Sequence, residues 1–253
     1  MQRYQLITKL DEICKRPKEG FRLDETEREK IVDVLRKLDI GMFGLDVEEM
    51  HELIVDPKQE PDEITTIVRV SLSESKCVSV IAFGVRPGHA IPLHNHAYMY
   101  GFMKHVFGKG TIKSYSFAEQ NDSYITTNNR NFSVGEQVKV EEQEVVQVDE
   151  TTVNEVFRFD PVIGNFHTIV ADKNEPVGFI DVLLPPYDNI FRKQVYWKVI
   201  EESDLNCKSP VYLRAIELPA DYTKYVIDLD TALNRVKYMV KTGKFKRKMK
   251  ADN

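Results

Sequence analysis

The chain has 253 residues and a formal net charge of −5; 42% of its residues are apolar and 30% charged. That composition builds a real core, leaves no run of the roughly 18 apolar residues needed to cross a bilayer, and offers no basic face for reading nucleic acid. Cys14, Cys77 and Cys207 lie far apart with no CxxC pair, which fits thiols in a reducing, cytoplasmic setting.

In chain order, Leu6, Ile7, Leu10, Ile13 and Cys14 recur at helical spacing. A second helix follows Asp24, which with Glu27 forms a capping box. Ile31, Val34, Leu35 and Leu38 make its apolar stripe, and Gly41 is its expected stop. A third helix starts after Asp46 and ends before Pro57. These helices carry no recognisable chemistry, and residues 1–62 read as a cover over something larger.

From about residue 63 the pattern changes. Short runs such as "CVSVIAFGV", "YGFMKHVFG" and "VGFIDVLL" are rich in β-branched and aromatic residues and are punctuated by Gly, Pro, Asn and Asp. No helical segment separates them, so a parallel βαβ sheet is disfavoured and an all-β sandwich, jelly roll or barrel is expected over 63–222. The polar stretch 118–131 reads as an exposed loop. A C-terminal helix is expected from Asp228 to Gly243 within a final segment 223–253. That segment ends in the basic run "KFKRKMK" at 244–250, a solvated tail or a nuclear-import patch.

The chemistry sits in "GHAIPLHNHAYMYG". His94 and His96 stand two apart behind Pro92, and in an extended segment two such side chains share one face. His167, at the start of a strand after Gly164-Asn165, is a candidate third ligand, and imidazole suits iron, zinc, copper or nickel. Surface or core histidines are the alternative. His51, His89 and His105 match no ligand position, and His105 reads as a core or rim residue. Asp181 lies in an otherwise apolar strand, where a carboxylate requires a partner or a task.

The spacing of Gly88, His94, His96, Gly101 and Gly108 resembles the first motif of the cupins, and Pro161, Gly164 and His167 loosely match the second. Most cupins carry a glutamate near position 100 or 101; here Tyr100 and Gly101 stand there, so the implied site has three neutral histidines and no carboxylate. Three imidazoles leave the charge of a divalent metal to be balanced by what binds next, and a thiolate is a good candidate.

Two blocks sharpen the likeness. Pro92-Leu93-His94, His96, Met99, Gly101, Lys104 and Phe107-Gly108 form the first. Gly164, Asn165, His167, Asp181, Leu183, Pro185-Pro186 and Tyr187 form the second. Together they resemble the thiol dioxygenases that include cysteamine dioxygenase and the plant cysteine oxidases, over about 80–200. The resemblance implies a cupin double-stranded β-helix with N-terminal helices and a C-terminal helix, and iron(II) on His94, His96 and His167. It implies O2 as cosubstrate and oxidation of cysteamine or a protein's N-terminal cysteine to a sulfinic acid. A monomer in the cytoplasm, and in the nucleus if the tail directs it, is expected. Asp181, Tyr187 and Tyr196 are the expected catalytic residues around the metal. Gln194 stands where some relatives have a cysteine that crosslinks to the tyrosine, and Ala97 replaces a common proline. The competing readings are a cupin that binds a ligand without turnover or serves as an interaction module, or one that keeps catalysis but uses zinc or manganese.

Overall fold

The structure, a computed structural model, describes residues 2–14, 22–55, 66–119, 131–188, 190, 192–200, 211–222 and 224–243. Most of the 118–131 loop, Cys207, and the 244–250 tail lie outside the described residues.

Three helices come first: α1 (Gln2–Cys14), α2 (Glu25–Lys37) and α3 (Val47–Val55). The strands are β1 (Ile67–Glu74), β2 (Ser79–Val85), β3 (Ala90–Asn95), β4 (Tyr100–Gly108), β5 (Gly110–Phe117), β6 (Gln137–Glu142), β7 (Val146–Val148), β8 (Val156–Phe159), β9 (Phe166–Ala171), β10 (Val177–Leu184), β11 (Tyr196–Ile200), β12 (Val211–Ile216) and β13 (Lys224–Asp228). The last helix is α4 (Leu229–Lys241).

One sheet runs β13-β1-β2-β10-β4-β8 and the other β6-β12-β11-β3-β9-β5-β7; β6 also pairs with β5, so the second sheet closes into a ring. Every pairing but β1–β13 is antiparallel. This is the double-stranded β-helix that the cupin resemblance implies, within the all-β class that the short, helix-free strands point to. The strand β13, which carries Lys224, is not among the elements the sequence marks. Its charged residues and short run hide it, and only its parallel pairing with β1 defines it.

The first sheet has two apolar faces. Val68, Val70, Val80, Ala82, Phe102, Ile180 and Val182 point outward into one cluster with the helices, while Ile81, Phe83, Met103 and Phe179 point inward. That is why β2 and β10 read as continuous apolar runs: both faces are covered. The cover sits close. A Cβ on Gly84 of β2 would lie 1.8 Å from Cδ1 of Ile54 on α3, so any larger residue here would have to displace that buried side chain.

The expected capping box is present: Glu27 N donates to Asp24 Oδ1 at 2.8 Å and Asp24 N to Glu27 Oε2 at 2.9 Å. Asp228 likewise caps α4 through Thr231 N. Gly41, however, is not the stop of α2. The helix ends at Lys37, and Gly41 lies inside a following 3-10 turn, where its N–H donates to Asp39 Oδ1. The stop is built instead by Lys104 of β4. Its buried ammonium donates to the carbonyls of Arg36 (3.1 Å) and Leu38 (2.9 Å), satisfying oxygens at the negative end of the helix. Lys104 therefore fastens the helical cover to the barrel.

Candidate metal centre

Strands β3 and β9 are neighbours in the closed ring, and His94 faces His167 directly across their ladder. The register shifts between Ile91 and His94, a bulge that contains Pro92. A proline has no N–H to give a ladder, so a bulge is where a strand accepts it. The bulge aims His94 inward, and His96, one residue past the end of β3, joins it. Leu93 and Phe166, one residue before each histidine on the two strands, point the other way, into the ring with Trp197, Phe117 and Leu213.

All three imidazoles are buried, and one ring nitrogen of each lies within 4.8 Å of the others. Their Nδ1 atoms are already used. His94 Nδ1–H donates to the Pro92 carbonyl at 2.9 Å and His167 Nδ1–H to that of Gly164 at 3.4 Å; His96 Nδ1 lies 2.8 Å from the Tyr187 hydroxyl. That hydroxyl is 3.2 Å from the Asn95 carbonyl, to which it donates. These bonds fix each ring and its tautomer, leaving the Nε2 lone pairs to converge; those of His96 and His167 are 3.3 Å apart. Burial holds all three rings neutral. His94 is pushed down to about 4, with Lys224 adding to the effect, and His96 and His167 fall well below the ordinary histidine range. Three neutral, oriented nitrogens that converge on one point fit a divalent transition metal, although His96 Nε2 also lies 3.4 Å from the Tyr187 hydroxyl.

Asn165 is a positioning residue that the sequence shows only as part of a motif. Its Oδ1 accepts from His96 N at 3.3 Å and its Nδ2 donates to His96 O at 3.0 Å, so the backbone of His96 is held from both sides.

Position 101 explains the missing carboxylate. A Cβ there would fall 1.7 Å from the Phe159 ring, and that ring packs on His96 (4.3 Å between centroids) and His167 (4.5 Å). Phe159 fills the volume that a side chain at 101 would need. The side of the histidine cluster toward β4 and β8 is therefore apolar.

The three nitrogens face a cavity of about 60 Å³, whose other wall comes from the first sheet: Arg69 on β1, Asp181 on β10, Lys224 on β13 and Tyr222 just before it. Asp181 is 6% exposed; its Oδ1 has no hydrogen-bond partner, nor has the buried Nε of Arg69. Burial raises the Asp181 carboxyl to about 7, against the opposing pull of the Arg69 guanidinium and the Val182 N–H. Burial, then Asp181, keeps the Tyr187 phenol protonated.

Of the expected residues, the structure brings His94, His96, His167, Asp181 and Tyr187 to one cavity. Tyr196 is beside the site but is not among the residues that line the cavity. It pairs with His94 in the ladder, and its ring packs 5.9 Å from that of Tyr222, which lines the cavity in its place. Gln194 also lines the cavity. His105 is a satisfied core residue, bonded to the Phe107 carbonyl (2.9 Å) and the Thr152 hydroxyl (3.0 Å). His89 donates to the Pro87 carbonyl. Arg69, Tyr222 and Lys224 escape the sequence reading. The alternation of Ile67 and Arg69 on one face of β1 is the only local hint.

A double-stranded β-helix whose neighbouring strands β3 and β9 and the residue after β3 bring three histidines to one cavity is a cupin with a site that fits a single metal ion. The chain belongs to the family of plant cysteine oxidases and cysteamine dioxygenases: the family model, PCO_ADO, matches residues 31–225. The family is one of thiol dioxygenases, and the three-histidine cluster fits iron. Among solved structures, the chain is similar to a conserved protein with a double-stranded beta-helix domain from Klebsiella pneumoniae. The identity is 15% and the TM-score 0.35, covering 59% of this chain and 96% of that one. It is also similar to a cupin-2 domain from Rhodospirillum rubrum, at 17% identity and TM-score 0.34, covering 58% and 74%. A third is KdgF from Halomonas sp., at 15% identity and TM-score 0.33, covering 54% and 96%.

Proposed function

We propose that the protein is an iron(II)-dependent dioxygenase that converts a thiol standing next to a free amine into a sulfinic acid. Cysteamine and the N-terminal cysteine of a protein are the candidate substrates. The observation that carries this reading is the unpartnered Asp181 Oδ1 on the wall opposite three neutral histidines, in a member of a thiol dioxygenase family.

The reaction balances without a reductant. A thiol and O2 give a sulfinic acid: both oxygen atoms end on sulfur, which supplies four electrons. Iron(II), held by His94, His96 and His167, would supply affinity for a thiolate and for O2 together. Three neutral ligands favour an anionic sulfur on the metal, because they leave its charge uncompensated. The residues around it do the rest. Asp181 receives the ammonium of the substrate, which orients the sulfur. Tyr187 keeps the His96 ring in place and stays a neutral donor. Phe159 and Leu183 line the metal's other side with apolar surface.

Oxidation of an N-terminal cysteine would place the protein in oxygen-dependent degradation signalling; oxidation of cysteamine would place it in hypotaurine synthesis. A cytoplasmic location, extending to the nucleus, suits the first role. The test supplies iron(II)-loaded protein with O2, cysteamine and a Cys-initiated peptide together and weighs the products. Two oxygen atoms gained by the peptide support the protein-cysteine role, and the same gain on cysteamine alone supports the small-thiol role. No gain on either, with iron confirmed in place, leaves a cupin that binds its ligand without turnover.

A further inference from the structure

The cavity wall opposite the histidines presents two unsatisfied groups of opposite kind. Asp181 Oδ1 is an acceptor with no donor, and Arg69 Nε is a donor with no acceptor. A buried polar atom left unpaired costs about 1–3 kcal/mol, so a pair of them around one cavity marks where a ligand completes the bonding. An ammonium suits Asp181. Arg69 requires an oxygen acceptor, and cysteamine, with its thiol on the metal and its amine on Asp181, has none to offer. An N-terminal cysteine residue has one: the carbonyl on the carbon that bears the amine.

A second cation stands beside the first. Ile67 and Arg69 share the inward face of β1, and Lys224 of β13 is the register partner of Ile67. Lys224 lines the cavity yet is exposed to solvent, which puts it at the rim. Asp181 is the only acid among the described residues lining the cavity, set against Arg69 and Lys224. The wall is thus cationic before any metal is counted, and a divalent ion with one thiolate leaves it more so. A substrate that brings a further negative charge past Arg69 is favoured there; a second positive charge is disfavoured.

We propose that Arg69 and Lys224 form a cationic rim that holds the carbonyl of an N-terminal cysteine residue and prefers an acidic side chain in the residue that follows. This rests on the thiol dioxygenase reading for how the sulfur is placed, but it concerns binding rather than turnover. Arg69 and Lys224 are specificity-determining residues in this account.

The experiment is calorimetric titration of the full-length, iron(II)-loaded protein under strict exclusion of O2, so that binding is read without reaction. The ligands are the peptides Cys-Asp-Gly-Ala and Cys-Lys-Gly-Ala, and cysteamine. The acidic peptide is expected to bind about tenfold more tightly than the basic one, in low salt, as attraction of the one and repulsion of the other at a partly exposed rim allow. The preference should shrink in high salt. Lys224→Gln, an exposed change that leaves the core alone, should cut it to about threefold. Arg69→Gln should weaken both peptides relative to cysteamine. Equal affinities for the two peptides, or a preference that Lys224→Gln leaves intact, overturns the rim. If neither peptide nor cysteamine binds, both the rim and the thiol dioxygenase reading fall. If the acidic preference holds but admitting O2 yields no sulfinic acid, the rim stands and the dioxygenase reading alone is lost.

Discussion

The two walls of the cavity are built on opposite terms. On the histidine wall every ring has an Nδ1 contact, and Asn165 holds the backbone of His96 from both sides. On the facing wall Asp181 and Arg69 each keep a buried polar atom unpaired. The first wall comes from one pair of ladder neighbours, β3 and β9; the second from β1, β10 and β13, across the interior. The contrast teaches that the protein preorganises its three histidines from within, while the facing wall holds unpaired polar atoms that a bound ligand would complete.

The largest effect breaks the first wall. His94→Ala or His167→Ala should take iron retention and turnover below detection by metal analysis and product mass, while circular dichroism stays native. If either variant keeps full activity, the three-histidine assignment is wrong.

Next is the facing wall. Asp181→Asn should retain iron but lose about a hundredfold or more in rate, since an amide cannot hold the ammonium as an anion does. The same change should stabilise the metal-free protein. Asp181 has a folded-state carboxyl raised to about 7 from 3.8. The ionisation penalty of its burial is therefore absent below about pH 4, where both states are largely protonated, and is greatest above about pH 7, when the unfolded chain has long released the proton. Denaturant unfolding of the apo variant at pH 7.5 should show a gain of roughly 1–3 kcal/mol that fades by about pH 4. A loss of stability at pH 7.5 would mark Asp181 as a structural ion-pair partner instead.

A smaller effect tests the link between rings and their supports. Tyr187→Phe removes the hydroxyl at His96 Nδ1 and should lower metal affinity about tenfold, read by chelator competition. An unchanged affinity would leave Tyr187 as a packed aromatic only. Smallest for the site, and confined to the cover, is Lys104→Met. It strips two carbonyls of their donor and should cost about 1–3 kcal/mol in unfolding, with metal affinity unaltered.

The same division governs what the sequence discloses. The histidine wall is legible because its parts are local: His94 and His96 are two residues apart, the bulge is announced by Pro92, and His167 follows a Gly-Asn turn. The double-covered sheet is legible as unbroken apolar runs, within which Asp181 stands out. Arg69 and Lys224 are hidden because their meaning depends on a parallel pairing between strands far apart in the chain. The substitution of Gly101 for the usual acid is visible, but not its reason. That lies in Phe159, whose strand pairs with β4 opposite Gly101. The misplaced helix stop has the same origin, because Lys104 reaches α2 from a strand in the barrel.

The direct opposition of His94 and His167 makes the site a gauge of strand register. Side chains alternate along a strand, so a slip of one residue between β3 and β9 would replace an imidazole in the cavity with Leu93 or Phe166 and bury the histidine in the ring core. Such a chain keeps two of three nitrogens at most. A metal that requires all three would therefore tell a correctly closed barrel from a slipped one, so metal affinity would report on assembly as well as on readiness for chemistry.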